Sequence, residues 1–266
     1  MRICPLCKRK YESAETRFCP DDGQMLVADA LPGKLFAASA DAPFSGSLAM
    51  GLFAHRFLDA TATGYTPPCQ PSEVKVNDVR LYEHLPVIAL WYLRENDRIR
   101  LTPVMKAGDF FVDFFQSYTT FAIEINRATQ MSFPGLEHDL LEIIKSSETG
   151  VTTDTILMRF LGAKRRSVGS KFNGRLEDWL ISLGYGQRKP PDTSPKPFFS
   201  IPKGNSSLYG DNFIPVCELI GAQEQAAQII QRSWLKFRAE EREIFKYLYE
   251  DVRRAIAKCS LGGGAG

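Results

Sequence analysis

The pattern Cys4-Pro-Leu-Cys7, followed by Phe18-Cys19-Pro-Asp-Asp22-Gly23, constrains this chain more than any other stretch. A Cys-x-x-Cys pair sets two thiolates on one tight turn within reach of a single ion. A second turn of the same shape closes a tetrahedron from the opposite side. The second turn ends in Asp22 where a Cys would usually stand, so the ligand set reads Cys4, Cys7, Cys19 and Asp22, with zinc as a structural ion. Carboxylate oxygen ligates zinc. Asp21 is the poorer candidate, because Asp22 holds the place of the second Cys and Gly23 follows it. A site with four protein ligands is closed: it contributes folding energy and leaves no position open for chemistry. A metal-free redox pair would need neither the third Cys nor the Pro-Asp-Asp-Gly turn.

Cys4, Cys7, Tyr11, Phe18, Cys19, Pro20, Asp22, Gly23 and Leu26 resemble the short zinc ribbons at the start of many bacterial multidomain proteins, some of them attached to serine/threonine kinases. The second knuckle of those ribbons often reads Phe-Cys-Pro-x-Asp-Gly. The likeness implies a ribbon over residues 1–26 and nothing about residues 27–266. No Gly-rich phosphate loop or His-Arg-Asp stretch of a kinase body appears downstream.

The chain has 266 residues, 44% of them hydrophobic, enough for one sizeable domain or two modest ones beside the ribbon. A net charge of +2 is too mild to imply nucleic acid or an anionic membrane by itself. Beyond the ribbon, Cys69, Cys217 and Cys259 are scattered singly, as in a reducing compartment, so a cytoplasmic location is expected. The start lacks a signal-peptide core and the early apolar run at 48–54 is too short to span a bilayer.

Residues 27–71, rich in Ala, Ser, Thr, Gly and Pro, read as a linker with an apolar docking segment at 48–58. The main body is expected over 72–186. Residues 79–95 have helical apolar density, with Pro86 starting its second part or kinking it, and Asn96-Asp97 ending it. Residues 98–104 alternate like a strand with one wet face, and a second strand pair is suggested at 110–115 and 118–125. Three helices come next: 136–145; one capped by Thr152-Thr153-Asp154 and ended by Gly162; and one running through Phe172, Leu176 and Trp179 to Gly184. Their order is similar to the helical part of winged-helix domains. A Pro-rich loop at 187–210 separates them from an amphipathic helical region at 211–260, with a break expected near Gly221 or around 239–242, and a flexible tail at 261–266. The fold class expected is α+β, mainly helical: a zinc ribbon, a winged-helix-like body and a long C-terminal amphipathic helix.

The three histidines, His55, His84 and His138, stand apart from one another, and no nucleophile, base or open metal site can be assembled around them. The densest charge is Lys164, Arg165, Arg166, Lys171 and Arg175, at the turn into the third helix, where a winged helix meets phosphates and base edges. Glu177 and Asp178 on the same helix favour a plain solvated face. The expectation is therefore a non-enzymatic interaction or assembly subunit of a bacterial complex, a scaffold whose ribbon and terminal helix dock a protein partner or a second copy. The alternative is a nucleic-acid-binding winged-helix regulator.

Overall fold

The computed structural model describes residues 2–3, 9–11, 20, 27–28, 44–71, 73–108, 116–126, 133–162, 168–188 and 213–260. Two compact units divide the chain, residues 1–43 and 44–266. In the first, β1 (Arg2–Ile3) pairs antiparallel with both β2 (Lys10–Tyr11) and β3 (Val27–Ala28), giving the order β2-β1-β3.

The second unit begins at Phe44, well ahead of the expected start at 72. Helix α1 (Gly46–Leu52) is buried along its whole length, and Ala54 and Phe57 of α2 (Ala54–Phe57) are buried too. The segment read as a docking element in a linker therefore forms part of this unit's own core. Its low charge, which suggested a linker, reflects burial on every side. Ser45 caps α1, its Oγ accepting from the Leu48 amide at 3.3 Å. Strand β4 (Ala60–Tyr65) follows, with Val76 bridging back to Ala60 and Tyr65.

Helix α3 (Asp78–Glu95) runs through the middle of the unit. Asn77 caps it by accepting from the Arg80 amide at 3.0 Å. From Leu85 to Leu93 every residue is buried, so neighbours enclose the helix around Pro86, which sits inside it. The helix ends in a Schellman motif. Asp97, at φ 53, is the left-handed residue, the Arg98 amide donates to Leu93 C=O at 2.9 Å, and the Asp97 amide donates to Arg94 C=O at 2.9 Å. That turn launches β5 (Ile99–Lys106), which pairs antiparallel with β6 (Tyr118–Ile125), Ile99 opposite Ile125 and Pro103 opposite Phe121. The pairing of β6 with β5 is not among the expected ones; the expected partner of 118–125, residues 110–115, lies outside the described residues. Pro103 cannot donate to a ladder, which suits β5 to the edge of its sheet. The other side of β6 meets the chain between the next two helices, the Ile123 amide donating to Val151 C=O at 2.8 Å.

Helix α4 (Leu136–Lys145) takes the expected bounds. Thr152 stands at the N-cap of α5 (Thr153–Leu161), and Gly162, at φ 73, ends it. Helix α6 (Val168–Ser182) closes on a second Schellman motif, with Gly184 at φ 81 and the Tyr185 amide donating to Leu180 C=O at 2.8 Å. The next residues form β7 (Gly186–Arg188), paired antiparallel with β8 (Phe213–Pro215). The amphipathic region breaks at both expected places, into α7 (Cys217–Ala222), α8 (Glu224–Glu240) and α9 (Arg242–Ser260). Trp234 of α8 packs edge-on against Trp91 of α3, centroids 5.5 Å apart, and against Phe245 of α9 at 5.6 Å, so aromatic contact joins the three helices. The described chain is α+β and mostly helical. Among the described residues no helix is long and apolar enough to cross a membrane.

Candidate functional site

The densest assembly of chemically capable side chains lies where the β5–β6 hairpin, the start of α5 and the face of α9 meet. Each side chain is placed by local rules. Tyr118 and Thr120 lie two apart on β6, so the pleat turns both to one face. Thr152, Thr153 and Asp154 occupy the cap and first turn of α5, where short oxygen-bearing side chains complement unpaired amides and the positive end of the helix. Asp251 shares the inner stripe of α9 with Leu248, Val252 and Ala255, and is itself completely buried.

Two carboxylates anchor this cluster. Asp154 accepts from Lys106 Nζ at 2.9 Å, from Tyr118 Oη at 2.8 Å and from Thr152 Oγ1 at 2.5 Å. Asp251 accepts from Thr120 Oγ1 at 2.7 Å, from Thr153 Oγ1, and from Arg254 Nη1 at 2.9 Å. The Arg254 guanidinium also lies over the Tyr118 ring, 3.6 Å from its centroid, which links the two halves. Burial, aided by the charge of Asp154, raises the Asp251 pKa to about 6 against the pull of its threonine bonds and Arg254. For Asp154 burial acts in the same upward direction. There the bonds from Thr152, Lys106 and Tyr118, with the Lys106 charge, outweigh it and hold the carboxyl below its usual range.

Carboxylates driven apart in pKa beside a lysine and a tyrosine are the raw material of acid–base chemistry. Here the atoms that would do it are engaged with one another. Thr120, Thr153 and Asp251 are fully buried, while Lys106, with its side chain 39% exposed, and the half-buried Thr152 and Arg254 lie toward solvent. These charge-assisted hydrogen bonds link α9 to the hairpin and to α5. A second buried carboxylate centre works the same way. Glu137, in the first turn of α4, accepts from the Ser47 amide at 2.8 Å and from Ser47 Oγ, while the Leu136 amide donates to Ser47 Oγ at 3.1 Å. Burial raises the Glu137 pKa to about 6.

Three surface hollows use the hairpin as a common wall. One, of about 570 Å³, is bounded by Arg94, Glu95, Asp97, Arg100 and Glu124; another, of about 450 Å³, by Ile123, Ile125, Ile144 and Lys145. The third, of about 390 Å³, lies beside the buried network and takes in Met105, Lys106, Thr152, Thr155 and Arg159. Their walls mix both signs of charge with exposed apolar atoms, Met105 among them at 69% exposure.

The residues singled out from sequence fall elsewhere. Cys4, Cys7, Cys19 and Asp22 lie outside the described residues, as do Lys164, Arg165 and Arg166. Lys171 is in α6, but its side chain is not among those described. Arg175 is exposed on that helix and faces Asp139 of α4 at 3.6 Å. Among the histidines, His84 is buried, its Nδ1 2.8 Å from Arg80 C=O and its ring against Tyr249, which is a packing role. One expectation is corrected. Cys69 and Cys217, read as isolated thiols, form a disulfide across a sequence separation of 148, in which Cys259 takes no part. Tertiary folding brings them together, and nothing in their spacing announces it. Sequence reasoning also passed over Asp251, although an aspartate on the stripe of Leu248, Val252 and Ala255 was a legible sign of a buried carboxylate needing partners.

Compared with protein-family models, with curated proteins and with solved structures, the chain matches none.

Proposed function

We propose that this chain is a non-catalytic assembly subunit of a bacterial, cytoplasmic complex, docking a protein partner or a second copy of itself. The observation that carries this reading is the deployment of its buried ionisable groups. Asp154, Asp251 and Glu137 are each engaged in hydrogen bonds that hold elements together, while three hollows among the described residues share one hairpin as a wall. Walls of mixed charge with scattered apolar atoms suit the polar, partly wet contact of a protein interface. The N-terminal unit serves as a zinc ribbon held by Cys4, Cys7, Cys19 and Asp22. Its strand order supports this: the Cys4–Cys7 pair falls in the chain between β1 and β2, and Cys19 and Asp22 between β2 and β3. The test is purification of the full chain at native mass from its own cells. A large assembly containing a zinc ion per chain is expected, and a compact monomer without partner would overturn the reading.

A second reading has its own support. The order α4, α5, α6, then the antiparallel pair β7–β8, is compatible with a winged helix, in which the third helix would contact DNA or RNA. Against it, Arg175 faces Asp139, and Arg188 is bound to Asp178 at 2.7 Å, so described cations near α6 are already paired. Neutralising Lys164, Arg165 and Arg166 should weaken nucleic-acid binding and flatten its salt dependence if this reading holds.

A further inference from the structure

We propose that Cys69–Cys217 is a reversible thiol–disulfide site, a surface latch whose state sets the freedom of β8 and α7. Three observations lead there. First, both cysteines are exposed residues, and exposed disulfides are the labile ones.

Second, Cys69 sits where the backbone does not favour a cysteine. The Gln70 amide donates to Pro67 C=O at 3.4 Å, which makes Pro68 and Cys69 the central residues of a four-residue turn. Cys69, the second of them, has φ 62, a conformation that suits Gly or Asn at that position. The turn is thus better served by another residue, and what Cys69 adds is its sulfur.

Third, the far end of the bond is lightly held without it. Cys217 opens α7, whose single buried residue is Ile220. The local tethers among the described residues include the Val216 amide bond to Tyr185 C=O at 2.9 Å, the short β7–β8 pairing and the buried Phe213 ring packed on Gly186. The Cys69 side, by contrast, is anchored by Tyr65 and Val76, both fully buried. Reduction therefore releases β8–α7 and leaves the central helices in place, the pattern of a local opening.

A further redox demand comes from the same chain. Cys4, Cys7 and Cys19 must stay thiolates to hold zinc, and in a compartment that keeps them so an exposed disulfide is exchangeable. That demand rests on the zinc reading above; the exposure of the pair, the turn at Cys69 and the light anchoring of α7 do not.

The chemistry is thiol–disulfide exchange with a small thiol such as glutathione. One thiolate attacks either sulfur, the Cys69–Cys217 bond breaks, and a mixed disulfide forms as the other cysteine leaves as a thiolate. A second glutathione thiolate attacks the mixed disulfide. The products are two protein thiols, after proton uptake, and one glutathione disulfide; running the steps backward with glutathione disulfide as oxidant restores the latch.

The experiment equilibrates the full chain in graded mixtures of glutathione and its disulfide, then alkylates free thiols. Mass spectrometry reads Cys69 and Cys217 separately from Cys259, and hydrogen exchange is followed on the same samples. The pair is expected to pass from oxidised to reduced within the graded series. Exchange over 213–222 should quicken at least tenfold while that of α3 and α9 stays unchanged. A pair that stays oxidised in excess glutathione is a permanent staple and overturns the proposal. So does reduction that leaves 213–222 unmoved, or that loosens α3 and α9 equally. Zinc content, measured in parallel, reports on the ribbon alone, so its failure is distinguishable from failure of the latch. The variant Cys69→Gly, which fits the turn without a sulfur, should reproduce the reduced exchange pattern in every mixture.

Discussion

Asp251 of α9 accepts a hydrogen bond of 2.7 Å from Thr120 of β6, a residue 131 positions earlier in the chain. Asp251 also takes the Thr153 hydroxyl and the Arg254 guanidinium, so one carboxylate holds β6, α5 and α9 in a fixed relation.

Removing that carboxylate leaves two buried hydroxyls and a mostly buried guanidinium without their acceptor. Asp251→Ala should cost about 3 kcal/mol, the range for breaking a buried charged contact from one side. Asp251→Asn keeps an acceptor oxygen and the volume, and should cost clearly less. Urea denaturation of the three proteins checks this, and an alanine variant as stable as the parent would deny the junction its role.

The contribution of Glu137 and Asp251 to stability should fall as pH rises from 5 to 7.5, while His55 and His84, whose pKa values burial lowers, act in the opposite sense over the same range. The carboxyls of Glu137 and Asp251 have pKa values raised from 4.5 and 3.8 to about 6 in the folded chain. The folded state therefore binds their protons more tightly than the unfolded state. Their contribution is fully present below about pH 4 and is lost as pH climbs through about 6, on the order of 2 kcal/mol for Glu137 and about 3 kcal/mol for Asp251. Asp154, with its pKa lowered, works in the opposite sense, stabilising above its ordinary carboxylate range and losing that contribution only in stronger acid. Denaturant midpoints at pH 5 and pH 7.5 decide the matter, and Glu137→Gln should shrink the difference.

A Cβ on Gly186 would run into the Phe213 ring, because the aromatic ring of β8 packs directly on the bare backbone of β7. Gly186→Ala should destabilise the chain by about 1–3 kcal/mol through overpacking. Adding Phe213→Leu should recover part of that loss in the double variant, read as a positive coupling in melting temperature. If the two substitutions simply add, the packing of this strand pair is not what limits position 186.

Trp234→Ala should cost about 3–5 kcal/mol, since the indole is fully buried between Trp91 and Phe245. Thermal unfolding followed by near-ultraviolet circular dichroism would register both the loss of stability and the change in aromatic packing.

Chelation should act on residues 1–43 and spare the rest, because the two units are separately compact. Under the zinc reading, a chelator abolishes protection of the β1–β3 amides while the 44–266 unit melts as before, and Cys19→Ser does the same without chelator. Asp22→Cys should tighten zinc binding by completing a four-thiolate set. Hydrogen exchange and metal titration measure these effects, and a β1–β3 sheet indifferent to zinc would remove the metal from the account.

The parts of this fold that were legible in the sequence are those decided within a few residues. The bounds of α4, the end of α5 at Gly162, the halt of α3 at Asn96-Asp97 and the breaks at Gln223 and Glu241 stem from apolar spacing, caps and left-handed turns. Such signals act along the backbone. Around α1 the sequence pointed to a docking segment against the body or another subunit but placed it in a linker, because low charge marks a buried helix as readily as a linker.

Local periodicity and capping determined where this chain turns helical and where its helices stop, because those choices are settled by hydrogen bonds and side chains a turn apart. Tertiary structure alone decided that β6 takes β5 as its partner, that Cys69 finds Cys217, and that Asp251 finds Thr120 and Thr153. These pairings join residues far apart in the chain. Each forms only where packing has already met the entropy of closing the loop between them, and that balance is a property of the whole core.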